Sequence, residues 1–256
     1  MSPTSDDAAG DADAPTEHLH ALQETLRARD EFLAIAAHEL RSPLNALGLH
    51  LALLERQAAQ CGVASLAEEI ARARRNVARY VRRAGTLLDV SRLVSGELLP
   101  ERTPVLLREI VAAVMDTYAD EARFHRVDLQ ARVEADALGH WDTRMVEEML
   151  SNLVSNALRY GGGTPVRVRA GTDGPRVAWF EVADRGPGID PAQRAQIFRK
   201  FGRAVSHSGD RGGFGLGLWI TAGMAAAHRG GVELLATPPE GGAVFVIRLP
   251  IRAEKV

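Results

Sequence analysis

The 256-residue sequence contains a single cysteine, Cys61, and only two lysines, Lys200 and Lys255. A lone cysteine cannot form a disulfide within the chain, which fits a reducing compartment. The most apolar window, from Gly213 to Ala227, is shorter than the roughly 18 to 20 residues that a membrane-spanning helix requires. We therefore expect no transmembrane segment and a cytoplasmic location.

Neither sign of charge dominates, because 31 Lys and Arg stand against 33 Asp and Glu, for a net charge of −2. This balance gives no bulk electrostatic drive toward nucleic acid, which we do not expect as a partner. The amino terminus is acidic and rich in small residues, without the basic and apolar regions of a signal peptide. With 46% hydrophobic residues, the chain is long enough for one large or two modest domains, and we expect two.

Periodicity divides the chain into four segments. Residues 1–16 bury too little apolar surface to fold alone, so we expect them to be disordered. Between residues 17 and 95, apolar residues recur every three or four positions, which predicts a hairpin of two long helices. The two apolar stripes are too long to cover each other, so a homodimeric four-helix bundle would bury them. Residues 96–104 contain Gly and Pro and predict a linker.

Residues 105–252 alternate between helical and strand patterns. We predict helices at about 107–123, 143–160, 191–199 and 216–228, and strands at about 128–133, 166–170, 176–183, 232–236 and 243–249. Helices interleaved with strands over about 150 residues are typical of one compact α/β unit. The predicted fold class is therefore a helical hairpin, forming a dimeric bundle, followed by an α/β sandwich domain.

A His-Glu pair, His38-Glu39, lies in the first predicted helix. Ala36 and Leu40 belong to the apolar stripe, so His38 faces outward. A neutral imidazole keeps one ring nitrogen free for nucleophilic attack near pH 7. Glu39 can accept a hydrogen bond from the other ring N–H and stabilise the charge that develops. Taken alone, an isolated histidine of this kind is more often an ordinary solvated side chain.

Two asparagines lie four residues apart, at Asn152 and Asn156, and share one face of the predicted helix 143–160. An amide oxygen is a neutral hard ligand that suits Mg²⁺ already coordinated by triphosphate oxygens. Arg159 and Tyr160 reach the same rim, where Arg can meet phosphate and Tyr can pack near a base. Without other motifs, two such asparagines would more often belong to a solvated helix face.

An acidic glycine motif follows the predicted strand 176–183, as Asp184-Arg-Gly186-Pro-Gly188-Ile189. A carboxylate there accepts from the exocyclic amino group of adenine and discriminates against guanine, whose corresponding oxygen does not donate. The glycines let the backbone approach the ring closely. In isolation the motif also fits an ordinary turn after a strand.

A second glycine motif, Gly213-Phe-Gly215-Leu216-Gly217-Leu218, opens a predicted helix. Free amides at a helix amino terminus bind phosphate. The motif lacks the Gly-x-Gly-x-x-Gly spacing and no strand precedes it, which argues against a dinucleotide-binding fingerprint. The polar, glycine-rich stretch before it is typical of a lid, although it also fits a plain loop.

These motifs, in this order, resemble the core of bacterial sensor histidine kinases, whose ATP-binding domain is shared with DNA gyrase, Hsp90 and MutL. The resemblance implies that His38 is the phosphoacceptor and Glu39 its acid/base helper. It implies that Asn156, beside Asn152, holds Mg²⁺ and that Asp184 reads adenine. It places a phenylalanine box at Phe198 and Phe201, lid-hinge glycines at Gly213, Gly215 and Gly217, and basic residues near the nucleotide at Arg159 and Lys200.

The implied activity is ATP-dependent autophosphorylation of His38, followed by transfer to an aspartate of a response regulator. Ser42 stands where the family usually has Thr or Asn to orient a water, so we expect weak phosphatase activity. Only about sixteen weakly structured residues precede the first predicted helix, so we expect any signal to arrive through a partner protein, such as an upstream sensor, or through oligomerisation.

Two other classes of protein fit parts of the pattern. A non-catalytic phosphotransfer scaffold would not need Asn156, Asp184 and the lid glycines. A serine kinase or an ATPase clamp with the same ATP-binding fold would not need the exposed His38. The complete set of motifs therefore favours the histidine kinase.

Overall fold

The computed structural model describes residues 44–58, 98–202, 215–235 and 241–252, together with single positions between 60 and 93. The chain divides into two compact units, Met1–Glu97 and Leu98–Val256. Several residues singled out in the sequence lie outside the described residues: His38, Glu39, Ser42 and Gly213.

The described residues of the first unit below position 94 are helical, and residues 44–58 form an unbroken stretch. Gly48 lies against Val77, since a Cβ built on Gly48 would be 3.6 Å from Cγ1 of Val77. Two helical stretches therefore pack together, as the predicted hairpin requires. Leu47 and Leu54 nevertheless remain 46% and 49% exposed in the single chain.

The second unit, over its described residues, contains a mixed sheet, a small two-stranded sheet and three α-helices. In chain order the elements are β1 (Thr103–Leu106), α1 (Leu107–His125), β2 (Leu129–Val133), β3 (Leu138–Trp141), α2 (Thr143–Tyr160), β4 (Val166–Asp173), β5 (Val177–Ala183), α3 (Gly217–Ala227), β6 (Gly231–Leu234) and β7 (Val244–Pro250). The main sheet has the order β2-β4-β5-β7-β6, and β1 pairs with β3. Only the β2–β4 pair is parallel within the main sheet.

All three helices contact strands of the main sheet, and α2 lies between α1 and α3. Alternation along the strands explains the layering, because every second residue of β5 is buried, as at Ala178, Phe180 and Val182. Of the intervening β5 residues, Trp179 and Glu181 carry polar groups, and Glu181 pairs with Arg169 of β4 at 3.0 Å. The unit is thus an α/β sandwich with one helical layer, as predicted.

The predicted helix at 191–199 is wrong. The chain forms only a short 3₁₀ turn, Pro191–Gln193, followed by further turns. Its amides mostly bond to carbonyls three residues back, as in Gln196 N–H to Gln193 O at 2.9 Å and Gly202 N–H to Arg199 O at 2.8 Å. This tighter spacing does not propagate into an α-helix. Phe198 in this segment packs instead against Phe245 of β7, a contact between residues distant in sequence.

Two strands were missed. Thr103 and Pro104 fall in the predicted linker, yet they lie in β1, paired antiparallel with Trp141 and His140 of β3. A two-stranded sheet has only edge strands, so a proline costs no central ladder bond. In the described part of the chain, no helix combines the length and the apolarity needed to cross a bilayer.

Candidate nucleotide site

Helix α2 carries both asparagines and begins at a buried acidic cap. The Asp142 side chain accepts a hydrogen bond from Met145 N–H at 3.0 Å, which satisfies a free amide of the first turn. Eight apolar side chains anchor the helix on the core: Met145, Val146, Met149, Leu150, Leu153, Val154, Ala157 and Leu158. Asn152, Asn156 and Arg159 are half-buried beside this stripe, and Tyr160 is exposed.

A buried histidine fixes the start of α2 to the end of α3. Nε2 of His228 accepts from Asp142 N–H at 3.0 Å, and Nδ1 lies 2.8 Å from the Met224 carbonyl oxygen. Only a neutral imidazole protonated at Nδ1 satisfies both bonds. Burial lowers the pKa of His228, and the charge of Arg102 lowers it further, while the Met224 carbonyl and Asp142 oppose this.

Asp184 directly follows β5 and is held by the backbone around it. Its amide donates to Ala243 O at 3.0 Å, and its Oδ1 accepts from Gly186 N–H at 2.8 Å. Burial raises the pKa of the Asp184 carboxyl, although backbone hydrogen bonds at Gly186 and Ala243 act in the opposite direction. A hydrogen bond from a ligand donor stabilises a partly desolvated carboxylate more strongly than it would stabilise one in water.

Thr164 joins the end of α2 to the Asp184 loop. Its Oγ1 donates to Gly161 O at 2.8 Å and accepts from Arg185 N–H at 3.1 Å. The backbones of Gly161 and Gly186 also touch, since a Cβ built on Gly186 would lie 2.7 Å from Cα of Gly161. Glycine at these positions lets the asparagine helix and the Asp184 motif meet.

The loop before β7 packs against the Asp184 motif. Gly242 has φ of 94°, and a Cβ there would lie 1.9 Å from the Asp184 carbonyl oxygen. No other residue type fits so close an approach. This contact was not predicted, although the Gly241-Gly242 pair shortly before β7 was a usable signal.

The second glycine motif lies against the asparagines. A Cβ built on Gly217 would be 3.4 Å from Oδ1 of Asn152, so the first turn of α3 and the amide of Asn152 are neighbours. Leu216 is buried and anchors this end, while Leu218 is half-buried. The unbonded amides of the first turn of α3 therefore lie close to the asparagine face of α2.

The segment around Phe198 also meets the start of α3. The ring of Phe198 packs edge-on against Phe245 of β7, with centroids 6.2 Å apart. Gly215 has φ of 67°, and a Cβ there would lie 2.7 Å from the carbonyl oxygen of Gly202. The ammonium of Lys200 lies 5.6 Å from the ring centroid of Trp219 in α3. Trp219 carried no signal in the sequence, because only the tertiary fold brings it to Lys200.

The structure thus brings the asparagine helix, the Asp184 motif and the start of α3 together within one unit. Gly188, with φ of 75°, and the half-buried Ile189 continue the loop after Asp184. Among the described residues, no three His, Cys, Asp or Glu side chains gather into a metal-binding cluster. The assignment of Asn156 as the Mg²⁺ ligand stays a prediction.

Two family models match the chain. The His Kinase A (phospho-acceptor) domain matches residues 28–96, a range that includes His38. The histidine kinase-, DNA gyrase B- and HSP90-like ATPase matches residues 141–253. The chain belongs to the histidine kinases. Its second unit is accordingly the ATP-binding domain of a histidine kinase.

Individual relatives agree with this assignment. The kinase is 31% identical over 224 residues to the sensor protein KdpD of Mycobacterium tuberculosis (strain CDC 1551 / Oshkosh), covering 86% of this chain and 26% of KdpD. It is 33% identical over 240 residues to the probable sensor histidine kinase TcrY of Mycobacterium tuberculosis (strain ATCC 25618 / H37Rv), covering 91% and 48%.

Among solved structures, full-length ShkA in complex with AMPPNP matches with a TM-score of 0.63 and 25% identity, covering 88% of this kinase and 47% of ShkA. The kinase thus spans between a quarter and a half of the length of these relatives.

Proposed function

We propose that this kinase uses ATP to phosphorylate its own His38 and then passes the phosphoryl group to an aspartate on a response regulator receiver domain. The observation that carries the proposal is the convergence of three motifs in one unit. Asn152 lies against Gly217, and Gly161 lies against Gly186 beside Asp184. The similarity to ShkA, whose structure holds AMPPNP, supports placing a nucleotide at this convergence.

The nucleotide would bind with its adenine at Asp184 and its phosphates toward α3. The Asp184 carboxylate accepts from the adenine amino group, and the amides at the start of α3 receive phosphate oxygens. Arg159, Tyr160 and Lys200 form the rim. The amide oxygen of Asn156 suits Mg²⁺ as a single protein ligand, and the ion would neutralise phosphate charge during transfer.

The reaction at His38 follows from the chemistry of imidazole. A neutral ring nitrogen attacks the γ-phosphorus, the bond to the oxygen bridging the β- and γ-phosphates breaks, and ADP leaves with the electron pair. Glu39 accepts a hydrogen bond from the other ring N–H and stabilises the positive charge on the ring. A carboxylate oxygen of the regulator's aspartate then attacks the same phosphorus, which returns His38 to its neutral form.

The kinase would act as a homodimer through its hairpin. Leu47 and Leu54 lie on the predicted apolar seam and are exposed in the single chain. Exposed apolar residues on such a seam are expected where a second copy of the chain packs. We place the reaction in the cytoplasm, because it consumes ATP. Since the kinase covers only part of the length of its relatives, an upstream sensor protein or segment as the source of the signal is part of this proposal.

The test is incubation of the purified kinase with γ-labelled ATP and Mg²⁺. We expect a label that acid removes and base does not, because a phosphoramidate hydrolyses in acid whereas phosphoserine survives. His38→Gln should lose the label and still bind ATP, since the nucleotide site lies in the second unit. A label that resists acid, or that persists in His38→Gln, would contradict the proposal. When receiver domains from the same genome are added, one of them should take up the label, and the label on the kinase should decrease.

A further inference from the structure

The ammonium of Lys200 lies close to two aromatic rings. Its ammonium lies 5.8 Å from the ring centroid of the adjacent Phe201 and 5.6 Å from that of Trp219. Both distances fall within the range of cation–π attraction. Phe201 is itself 63% exposed, whereas Trp219 is half-buried in the first turn of α3, so Trp219 provides the firmer of the two contacts.

The contact with Trp219 places the Lys200 ammonium beside the first turn of α3. Side chains on a helix lean toward its amino terminus, so the ring of Trp219 brings Lys200 toward the start of α3. The dipole of a helix disfavours positive charge at that end. Gly217, in the same turn, lies against Asn152. A cation and free helix amides in one place repel each other mildly, and an anion between them satisfies both.

The backbone fixes the segment that carries Lys200. Phe201 adopts φ of 63°, which is costly for a residue with a side chain and persists where the surroundings impose it. The Gly202 amide donates to Arg199 O at 2.8 Å. A Cβ on Gly215 would lie 2.9 Å from the carbonyl carbon of Phe201, so the turn is pressed against the residues that open α3.

We propose that Trp219 is a positioning residue whose ring holds the Lys200 ammonium at the amino end of α3, where it meets the phosphates of ATP. The inference rests on the ATP site of the proposed function. Trp219 need not touch the nucleotide, because it acts through Lys200. Its loss should therefore weaken binding in proportion to the phosphates that a ligand carries, and leave the adenine half of the site intact.

The experiment compares the affinities of ATP and adenosine, measured by titration calorimetry with Mg²⁺ present. Trp219→Leu and Lys200→Met should each lower ATP affinity about fivefold, the size of one cation–π or ion-pair contact, with adenosine affinity unchanged. Trp219→Phe keeps an aromatic face and should retain most of the ATP affinity. The double variant should be no weaker than either single variant, because both remove the same contact.

Trp179 supplies a matched control. The Arg169 guanidinium lies 5.6 Å from its ring centroid, on the face of the sheet away from the helices, so Trp179→Leu removes an equivalent contact far from Lys200. It should leave both affinities unchanged.

An equal loss of ATP and adenosine affinity in Trp219→Leu would overturn the proposal, as would additive effects in the double variant or no effect at all. Failure of the proposed ATP site would look different, because the wild-type kinase itself would then not bind ATP. Failure of the proposed transfer to His38 would show only in the labelling test and would leave these affinities unchanged.

Discussion

Asp184 is a charged residue that the fold keeps partly out of water before any nucleotide arrives. Its raised pKa means that the ionised form is disfavoured in the folded chain. The carboxyl therefore contributes stability at pH values below its ordinary range, and this contribution is lost as pH rises through the folded-state pKa. At neutral pH the ionised carboxylate lowers the free energy of unfolding, and a hydrogen-bond donor from the ligand offsets this loss.

Asp184→Asn should accordingly stabilise the nucleotide-free chain at pH 7.5 and weaken ATP binding. The loss of one charge-assisted hydrogen bond costs about 1.5–3 kcal/mol, or roughly 10- to 150-fold in affinity. Thermal denaturation at several pH values and titration calorimetry measure the two effects. The gain in melting temperature should shrink as pH falls toward 4. Unchanged ATP affinity would show that the carboxylate does not read the base.

His228 is expected to give the opposite pH dependence. Its pKa is lowered by burial, so its stabilising contribution is complete above the ordinary histidine value near 6.5 and is lost as pH falls toward the folded-state pKa. His228→Leu leaves the Asp142 amide buried without an acceptor, which costs about 1–3 kcal/mol at pH 8.

The difference in melting temperature between the wild-type kinase and His228→Leu should narrow between pH 8 and pH 5. A constant difference across that range would show that His228 does not titrate on unfolding in this window.

Some of the residues at the site could be predicted from the sequence, and others could not. Asp184, Asn152 and Asn156 stand in local motifs whose spacing limits what they can do, so the sequence alone singles them out, and their roles stay predictions. Thr164 and His228 were missed, because their hydrogen bonds reach Arg185 and Asp142, far away in the chain. A single threonine or histidine stands in no local sequence pattern from which such a distant partner could be predicted.

At the scale of elements, the site depends on two glycine backbones in contact, at the end of α2 and in the loop after β5. Gly186→Ala would place a methyl group 2.7 Å from Cα of Gly161 and must push the loop away from the asparagine helix. We expect ATP affinity to fall at least tenfold, because displacement by even about 1 Å disrupts a preorganised site. Titration calorimetry measures it.

Gly231→Ala is the matched control for that substitution. Gly231 lies in β6, and a Cβ there would meet nothing within 4 Å. Its ATP affinity should equal that of the wild-type kinase. Equal losses in the two variants would mean that glycine content, and not the contact with Gly161, governs the result.

Element prediction succeeded where pattern and cap agreed. Helix α2 has the predicted bounds, because a strong apolar stripe follows an Asp cap at the first turn. It failed at 191–199, where a helix was predicted. There the chain turns tightly instead, because Ile197 is buried and Phe198 packs against Phe245 of β7.

At the scale of the whole molecule, the dimer is the main expectation. Leu51, on the predicted seam, is already partly covered in its own chain, so a charge there would disturb the hairpin as well. Leu54 is 49% exposed on the same seam and tests the dimer more cleanly. Leu54→Glu would bury an unpaired carboxylate in the bundle, at a cost of several kcal/mol, roughly 3–5.

Leu54→Glu should therefore be monomeric by light scattering and bind ATP normally. Leu49→Glu places the same charge on the opposite side of the helix, at a residue 64% exposed, and should remain dimeric. A dimeric Leu54→Glu protein, or a monomeric Leu49→Glu protein, would contradict the predicted seam.

The sequence by itself determined the order of the chemical motifs, the helical hairpin and the α/β class of the second unit. These follow from spacing along the chain, because apolar periodicity and glycine positions act over a few residues. The tertiary structure decided which backbones touch and which side chains support the motifs. Thr164, Trp219, His228 and Gly242 act on residues distant in sequence, and only the folded sheet and its helices bring those partners within reach.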